Sequence, residues 1–549
     1  MNIFSNSVII LLILLLILPL ILQYIYNWNV LFVVTGHKYN VSVYGFYIFT
    51  YMIIQMILSF INNKYEIWKV DKRSGQILKN TNILMVGHRE NVIYYKNCLE
   101  SIKTSIINIL NINKVYIIID GDEEEDKYMV EECMNTFNNS NLKSVYIRLP
   151  KSVNSDDYLT TNCMDIVKEA DIICISQPHN GKRNAMMTGF KMTLLENILY
   201  DKCIGSVFCT DSDTIINEDA ILRMMENLNH SKNVGAVTGN LGIYNKYDSI
   251  VSFMSSMRYW YAFNIERGYQ SFSGNVLCVS GPMGIYNLKD LEKVIDEWSN
   301  QMFLGKLCTY GDDRHLTNKI LELGKKVVYT EMAYAETETP VNLYRFFKQQ
   351  VRWNKSSFRE LFWNVKNLEK HSVMMSVDLT YTFFYPYIVV GYLLYVLWGG
   401  TVFDLVIYLM CIFIIGLLKS IYGSIYSRNY EMMFYMTYSL MYITILCPAR
   451  IWAICTIKDN SWGTSPRNKL NIEYSLDVSA IILWNMILMG GFVSNIWRGI
   501  LSGTNFIDYL YLITLLGIWI VVFMIMYMYV KVRAKNIQRS EIKNEDKIE

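Results

Sequence analysis

Long apolar segments stand near both ends of this chain and enclose a polar middle at about 63–370. About 20 consecutive apolar residues are enough for one helix to cross a bilayer. The pattern therefore predicts a membrane protein whose polar middle forms a separate domain. Two apolar segments precede this domain, at 7–26 and 41–61, and five follow it, at 379–399, 402–422, 430–456, 476–497 and 507–530.

The charges beside these segments predict their orientation. No Lys or Arg precedes the segment at 7–26 and no cleavage site follows it, so we expect a retained anchor and not a signal peptide. Basic residues follow the segment at 41–61 and begin the tail at 531–549. Because Lys and Arg concentrate in cytosolic loops, the polar domain and both termini are predicted to be cytosolic, with the plasma membrane as the expected location.

One of the five C-terminal segments should not cross the membrane, because five crossings would place the tail outside the cell. Segment 430–456 contains Pro448 and Arg450, and we interpret it as interfacial or re-entrant, which leaves six spanning helices. The predicted organisation is two transmembrane helices at 1–62, a cytosolic domain at 63–340, interfacial amphipathic helices at 341–378, a four-helix membrane region at 379–530 with a re-entrant segment and loop at 430–470, and a cytosolic tail at 531–549.

Composition narrows the class of partner. Hydrophobic residues make up 52% of the chain and charged residues 18%, with a net charge of +2. So small a net charge, without a basic arm, argues against a nucleic-acid partner and leaves the lipid bilayer. The 11 cysteines show no CxxC pair or metal-ligand spacing, which argues against a zinc site and fits free thiols in a reducing cytosol. Nothing in the sequence requires an obligate protein partner.

Short runs rich in Val and Ile divide the polar middle and alternate with helical stretches, which predicts an α/β sheet. Ligands of such sheets bind at the carboxyl ends of the strands, where the polar motifs of this chain also stand. The predicted strands are Asn82–Val86, Lys114–Ile119, Asp171–Ile175 and Ile204–Cys209.

Acidic residues follow two of these strands. Asp120 begins an Asp-Gly-Asp turn, where a carboxylate can accept the imide N–H of a uracil, although a solvated acidic turn explains it equally well. Asp211 and Asp213 follow Ile204–Cys209 and should point the same way in an extended chain. Two such carboxylates can hold Mg²⁺ or Mn²⁺ together with nucleotide phosphates. The Asp-x-Asp pattern alone is weak evidence for a metal site, and it becomes strong evidence when it follows a buried strand.

A basic motif and a second acidic pair complete the polar groups of the domain. Lys182 suits a phosphate or a sugar carboxylate, whereas its neighbour Arg183 fits a solvated turn better. Asp312 and Asp313 precede a helical stretch. We interpret Asp313 as a general base for an acceptor hydroxyl and Asp312 as its support or an acceptor contact. A pair of residues at a helix N-cap is the structural alternative.

The sequence Gln-Gln-Val-Arg-Trp at 349–353 lies on a predicted amphipathic helix. Arg352 would face a pyrophosphate together with Gln349, and Trp353 would form a stacking floor for a sugar. An interfacial helix with aromatic anchors is the alternative. Trp462-Gly463-Thr464 fits either a turn at the membrane surface or a lid over the site. An acidic pair and an Arg-Trp pair beside membrane segments suit an enzyme that joins sugars and exports the polymer, whereas a transporter needs neither.

With these residues in view, the chain resembles the hyaluronan synthases, which are processive inverting glycosyltransferases of the membrane, and more distantly the chitin and cellulose synthases. The likeness covers nearly the whole polar domain and extends to Trp462-Gly463-Thr464. It is densest at 242–248, Arg258-Tyr259-Trp260, 262–267, Gln270-Ser271, 280–284 and 311–318.

This resemblance implies a GT-A domain that uses UDP-GlcNAc and UDP-GlcA alternately with Mg²⁺ or Mn²⁺, and membrane helices that form a channel for nascent hyaluronan. By the same likeness each motif takes a role. Asp120 would bind uracil, Asp213 with Asp211 would bind the metal, and Arg352 would bind pyrophosphate. Asp313 would be the base and Trp353 would bind the acceptor, with Ser280, Gly281 and Pro282 along the acceptor path. Trp462, Gly463 and Thr464 would form the donor gate.

One motif departs from the family pattern. Family members tend to carry a tyrosine and an acid-proline pair where this chain has Gly-His-Arg-Glu-Asn at 87–91. His88 could stack under uracil as a tyrosine would, and Arg89 and Glu90 are the candidate donor contacts beside it.

Three other functions remain open. A chitin-synthase-like enzyme would need no site for a carboxylated donor, and the cations at Lys182 and Arg183 favour UDP-GlcA mildly. A dolichyl-phosphate sugar transferase shares the metal motif but would not need the helix at 349–353 or so many spans. A transporter with a degenerate nucleotide domain would have no reason to keep every chemical group.

Overall fold

The computed structural model describes residues 29–34, 37–71, 78–138, 142–150, 166–200, 203–459 and 476–545. The apolar segment predicted at 7–26 and the motif Trp462-Gly463-Thr464 therefore lie outside the described residues.

A nine-stranded mixed sheet forms the centre of the polar domain, which confirms the predicted α/β class. Its strand order is β5-β6-β4-β3-β7-β10-β9-β13-β8. Strand β10 runs antiparallel to both of its neighbours, and β8 runs antiparallel to β13. The strands are β3 (Asn80–Gly87), β4 (Ile112–Asp120), β5 (Ser144–Arg148), β6 (Ile172–Gln177), β7 (Ile204–Asp211), β8 (Ile215–Ile216), β9 (Val234–Ile243), β10 (Gly284–Asn287) and β13 (Lys326–Thr337).

Two short antiparallel hairpins lie outside this sheet. They are β1 (Asn29–Val34) with β2 (His37–Ser42), and β11 (Met302–Phe303) with β12 (Lys306–Leu307).

The central strands each contain a continuous apolar run because helices cover both faces of the sheet. All four predicted strands are present, and each extends one or two residues beyond its predicted C-terminal end, whereas the strand predicted from Asp171 begins at Ile172. Ile117, Ile118 and Ile119 of β4 are fully buried. Register places Asp120 opposite Gln177 and Val86 opposite Asp211, so the carboxyl ends of β3, β4, β6 and β7 meet at one edge.

The helices of the polar domain pack around this sheet. These helices are α2 (Val92–Asn108), α3 (Lys127–Asn138), α4 (Lys182–Tyr200), α5 (Ala220–Asn229), α6 (Ile250–Tyr261), α7 (Gly268–Phe272), α8 (Leu288–Ser299) and α9 (Asp312–Glu322). A π-helical turn at Ala262–Arg267 joins α6 to α7.

Helix α10 (Leu343–Asn367) connects the polar domain to the membrane helices. Its N-cap is Asn342, whose side chain accepts a hydrogen bond from Tyr344 N–H at 2.8 Å. Phe346, Phe347 and Phe358 of this helix are buried in a core shared with the membrane helices. A helical turn at Leu368–Lys370 follows, and the next long helix begins at Val373, inside the segment expected to be interfacial.

Five helices of the described part are long and apolar enough to cross a membrane. The segment interpreted as re-entrant is one of them and changes its winding along its length, through a 3₁₀ stretch at Tyr430–Thr437, α13 (Tyr438–Met441), a π turn at Tyr442–Leu446 and α14 (Cys447–Cys455). The other four are α11 (Val373–Trp398), α12 (Val402–Ser427), α15 (Leu476–Leu501) and α16 (Phe506–Glu545). The apolar segment expected at 41–61 lies in α1 (Val43–Asp71), which is not among the five.

Candidate active site

A cavity of about 1000 Å³ extends from the carboxyl edge of the sheet past α10 and between the membrane helices. Nearly all the residues selected from the sequence line it. Arg183 does not line it, and Trp462, Gly463 and Thr464 lie outside the described residues. The lining includes Arg89, Glu90, Asp120, Lys182, Asp211, Asp213, Ser280, Gly281, Pro282, Asp312, Asp313, Gln349, Arg352 and Trp353.

Asp120 is held rigidly at the end of β4. Its side chain accepts hydrogen bonds from the backbone N–H groups of Asn180 and Gly181, both at 3.0 Å. Gly181 has φ +90°, a conformation that glycine adopts without steric cost. The carboxylate is therefore a fixed acceptor at the edge of the cavity, and the solvated-turn interpretation does not describe it.

The residues of the motif after β3 contact three other parts of the polar domain. The ring of His88 stacks on His179, with centroids 4.2 Å apart. Arg89 pairs with three carboxylates of the following acidic turn, those of Glu123, Glu125 and Asp126. Glu90 accepts a hydrogen bond from the Ser212 hydroxyl at 3.2 Å and so contacts the turn that carries the acidic pair.

Asp211 and Asp213 line the same cavity, but not because side chains alternate along an extended chain. Strand β7 ends at Asp211, and Ser212 and Asp213 form a turn. Asp211 forms an ion pair with Lys182, and Asp213 lies 3.4 Å from the Thr337 hydroxyl. Carboxylate and hydroxyl oxygens are hard ligands, so this donor set fits Mg²⁺ or Mn²⁺.

The pKa values of Asp211 and of its partner Lys182 are both shifted by their surroundings. Burial raises the pKa of Asp211, and the nearby charge of Asp213 raises it further, although Lys182 opposes the shift. Burial also acts to lower the pKa of Lys182, but the attraction of Asp211 and of more distant carboxylates outweighs it, and the net shift is upward. The Lys182–Asp211 ion pair therefore lies close to further carboxylates, those of Asp213, Asp312 and Asp313.

The two aspartates at the start of α9 have different environments. Asp312 is buried and accepts a hydrogen bond from Arg183 Nε at 2.8 Å, while Arg183 also donates to Gln301 at 3.0 Å. Asp313 faces the cavity, and its carboxylate accepts from the Cys278 thiol at 3.4 Å. Neither aspartate is the N-cap of the helix, because Gly311 occupies that position.

The helix α10 places Arg352 and Trp353 against this cluster. Burial lowers the pKa of Arg352, and the charges of Asp313, Asp312 and Asp211 oppose that shift. Trp353 lies beside Tyr259, with ring centroids 6.2 Å apart. The Arg352 guanidinium, the Asp313 carboxylate and the Asp211–Asp213 pair therefore share one cavity with an aromatic surface.

The Ser-Gly-Pro turn lies next to the Lys182–Asp211 pair. A Cβ atom at Gly281 would be 3.2 Å from Lys182 Nζ and 3.6 Å from Asp211 Oδ2. Ser280 bridges to Met283, which closes the turn. The absence of a side chain at Gly281 is what allows the backbone to approach the ion pair this closely.

Comparison with known proteins gives the family. A family profile described as Chitin synthase matches residues 184–473. Hyaluronan synthase 3 of Xenopus laevis is 34% identical over 461 residues, which cover 83% of this chain and 80% of that protein. Hyaluronan synthase 2 of Homo sapiens is 32% identical over 470 residues, covering 84% and 83%. The chain belongs to the hyaluronan synthase family.

Among solved structures, the mannosyltransferase PcManGT from Pyrobaculum calidifontis, in complex with GDP-Man and Mn²⁺, covers 74% of this chain and 98% of its own at 11% identity and a TM-score of 0.39. That likeness is too weak to bear on the site. As a member of the hyaluronan synthase family, this chain is a glycosyltransferase with a GT-A-like sheet and a multi-pass membrane region, as predicted.

The resemblance implied a channel between the membrane helices, but the sequence did not indicate which residues line the membrane part of the cavity. It is lined by aromatic rings and a few cations, among them Tyr385, Lys419, Tyr438, Tyr442 and Arg450. Arg258 and Glu266 also line the cavity and pair with each other at 2.8 Å. These residues belong to apolar segments where helical packing is the default interpretation, so no local pattern distinguishes a lining ring from a core ring.

Three further residues of the site also escaped the sequence analysis. His179 stands in the motif that supplied Lys182, and Tyr259 in a segment quoted only for its resemblance. Cys278 shows no signal, because a lone buried cysteine has many structural explanations.

Proposed function

We propose that this chain is a processive hyaluronan synthase that transfers GlcNAc and GlcA alternately from UDP-GlcNAc and UDP-GlcA, with Mg²⁺ or Mn²⁺, to a chain that it exports. One observation carries the proposal: Asp313, Arg352 and the Asp211–Asp213 pair line the same cavity that continues between the membrane helices. The relatives that this chain matches are named hyaluronan synthases, which supports the proposal.

Each residue of the donor end has a role in this proposal. Asp120 accepts the imide N–H of uracil, with Arg89 and Glu90 beside the base. Lys182 and Arg352 with Gln349 hold the pyrophosphate. Asp211 and Asp213 hold the divalent cation, which neutralises charge on the departing UDP when it is bound.

Sugar transfer then requires one proton transfer and one displacement. Asp313 removes the proton from an acceptor hydroxyl, the oxygen bonds to the anomeric carbon from the opposite side to UDP, and the bond to UDP breaks with inversion. Trp353 and the turn at 280–282 hold the acceptor sugar. Asp312 and Arg183, which pair with each other at the start of α9, support the helix that carries the base.

The membrane region completes the assignment. A polymer extended at Trp353 lies at the entrance of the aromatic passage, so each addition moves it toward the far side of the bilayer. We propose the plasma membrane as its location, with the sheet domain and both termini cytosolic, segment 430–456 re-entrant, and Trp462 to Thr464 as the gate over the donor.

Synthesis by detergent-solubilised enzyme with Mn²⁺ tests the substrates. We expect high-mass product only when UDP-GlcNAc and UDP-GlcA are both present, and hyaluronidase should degrade it. Polymer from UDP-GlcNAc alone would instead make the chain a chitin-type synthase, the second candidate, which the Chitin synthase profile over 184–473 favours. No UDP release under any condition would leave a non-catalytic transporter.

A further inference from the structure

Two histidines from separate loops meet at the proposed base-binding end of the cavity. His88 follows β3 and His179 follows β6. Their rings are nearly parallel, with an interplanar angle of 20° and a centroid distance of 4.2 Å. Both direct Nδ1 toward one residue: His88 Nδ1 lies 2.6 Å from the carbonyl oxygen of Asp120, and His179 Nδ1 lies 2.8 Å from its Oδ2.

Ligand atoms of His88, Asp120 and His179 all lie within 4.8 Å of one another. Metal–nitrogen bonds of roughly 2.0–2.1 Å in a tetrahedral site require ligand atoms roughly 3.4 Å apart. The side chain of His179 is 60% exposed, so its ring can rotate to close this difference. A metal ion can reach the group from the open cavity.

Asp120 supplies a fixed third ligand. Its side chain is buried and oriented by two backbone N–H groups, those of Asn180 and Gly181. Such hydrogen bonds from surrounding groups hold a ligating carboxylate in place and increase metal affinity. With two imidazoles and one carboxylate, the group has the three-ligand composition of an open zinc site, whose fourth position is left to water or a bound molecule.

The chemistry separates this group from the acidic pair. Imidazole favours Zn²⁺, Co²⁺, Ni²⁺ and Cu²⁺, whereas carboxylate and hydroxyl oxygens suit Mg²⁺ and Mn²⁺. Cysteine spacing gave no sign of a zinc site in the sequence. The two histidines lie in separate loops, far apart in the chain, and converge only in the fold.

We propose that His88, His179 and Asp120 form a binding site for a Zn²⁺-class transition-metal ion, and that an ion bound there excludes the nucleobase of the donor. The site would make donor binding sensitive to free zinc independently of the Mn²⁺ at the acidic pair. The exclusion rests on the proposed role of Asp120 in uracil binding, whereas the metal site itself does not.

Cobalt absorption tests the site directly, without nucleotide or activity. Untagged full-length enzyme in detergent is titrated with Co²⁺, whose tetrahedral complexes absorb visible light far more strongly than octahedral ones. We expect this band for the wild type, with at least ~10-fold weaker binding in His88→Tyr and His179→Gln. His230→Gln, an exposed histidine at the end of α5, should titrate like the wild type, as should Asp213→Asn.

An unchanged cobalt band in both His88→Tyr and His179→Gln, or no band in the wild type, would overturn the site. Folding of each variant is checked by gel filtration and thermal unfolding. If one variant fails to fold, the other still decides the question, since each removes a ligand on a different loop.

Zinc inhibition tests the exclusion of the nucleobase. Polymer synthesis is followed at saturating Mn²⁺ over a range of Zn²⁺, with each variant referred to its own zinc-free rate. The concentration of zinc for half inhibition should rise at least ~10-fold in His179→Gln and should rise with donor concentration in the wild type. Cobalt binding at the histidines without zinc inhibition would keep the site and refute the placement of uracil at Asp120.

Discussion

At the scale of single residues, the two aspartates at the start of α9 are neighbours in sequence with separate tasks. Asp313→Asn removes the proposed base and keeps the shape of the side chain, so polymer synthesis should fall about 10²–10⁴-fold while UDP binding stays within about twofold. Initial rates and UDP titration of the purified variant measure both quantities. Normal synthesis by this variant would remove Asp313 from the mechanism.

The adjacent substitution should act through stability. Asp312→Asn leaves the Arg183 guanidinium buried beside a neutral amide, and loss of one partner of a buried ion pair costs about 3–5 kcal/mol. Arg183 is only 6% exposed, so water cannot replace the carboxylate. Thermal unfolding should show a clear decrease for Asp312→Asn and little change for Asp313→Asn. An equal decrease in both variants would contradict this division of roles.

At the scale of secondary structure, the position of α9 depends on its contact with α10. Gly311 caps α9 with φ +86°, and a Cβ atom there would collide with the side chain of Ser356 on α10. Gly305 has a similar φ of +79° but open space around it. Gly305→Ala should therefore cost only the backbone term of about 1–2 kcal/mol.

Gly311→Ala carries the same backbone cost, and its Cβ atom would also push α10 away from α9, the helix that carries Asp313. We expect a larger loss of thermal stability than in Gly305→Ala, together with a decrease in polymer synthesis that the control does not show. Equal effects of the two substitutions would mean that the contact with Ser356 does not position α9.

A buried carboxylate provides the second contact between these helices. Glu360 of α10 accepts hydrogen bonds from Asn318 at 2.7 Å, His315 at 3.1 Å and Gln301 at 2.6 Å. Burial acts to raise the pKa of Glu360, but these donors outweigh it and the net shift is downward. Its contribution to stability is therefore complete above the ordinary pKa of 4.5 and is lost as pH falls through the lower folded value.

Glu360→Gln replaces an acceptor oxygen with a donor that faces other donors, which should cost about 1–3 kcal/mol at pH 7. The variant should also lose the acid-dependent part of the unfolding curve below about pH 4.5. Thermal unfolding at several pH values measures both effects. The exposed Glu292 of α8 gives a control, since Glu292→Gln should change neither, and a wild-type-like curve for Glu360→Gln would refute the contact.

At the scale of the whole molecule, features set by residues close together in the sequence were predictable, and features set by residues far apart in the sequence were not. The four central strands were predictable because strands buried on both faces are continuous apolar runs. Asp120 and Asp211 were predictable as strand-end residues. The Asp312–Arg183 pair, the His88–His179 stack and the lining of the membrane passage join residues far apart in the chain, so no local pattern contains them.

Another such contact joins three parts of the chain at the buried carboxylate of Asp378 in α11. The Tyr51 hydroxyl of α1 donates to its Oδ1 at 2.5 Å, and Gln270 of α7 donates to its Oδ2 at 2.7 Å. Asp378 also lines the cavity, where the polar domain meets the first helix of the membrane region. This contact therefore joins the polar domain to the membrane region beside the cavity, where we propose that the acceptor enters the passage.

Tyr51→Phe removes one of these two donors without changing the volume of the ring. An underpaired buried carboxylate should cost about 1–3 kcal/mol, and the looser entrance should shorten the polymer while UDP binding stays within about twofold. Thermal unfolding, product size on agarose gels and UDP titration measure the three effects. Tyr395→Phe on the exposed face of α11 should behave as the wild type, and unchanged stability and polymer length in Tyr51→Phe would show that the contact does not couple the two regions.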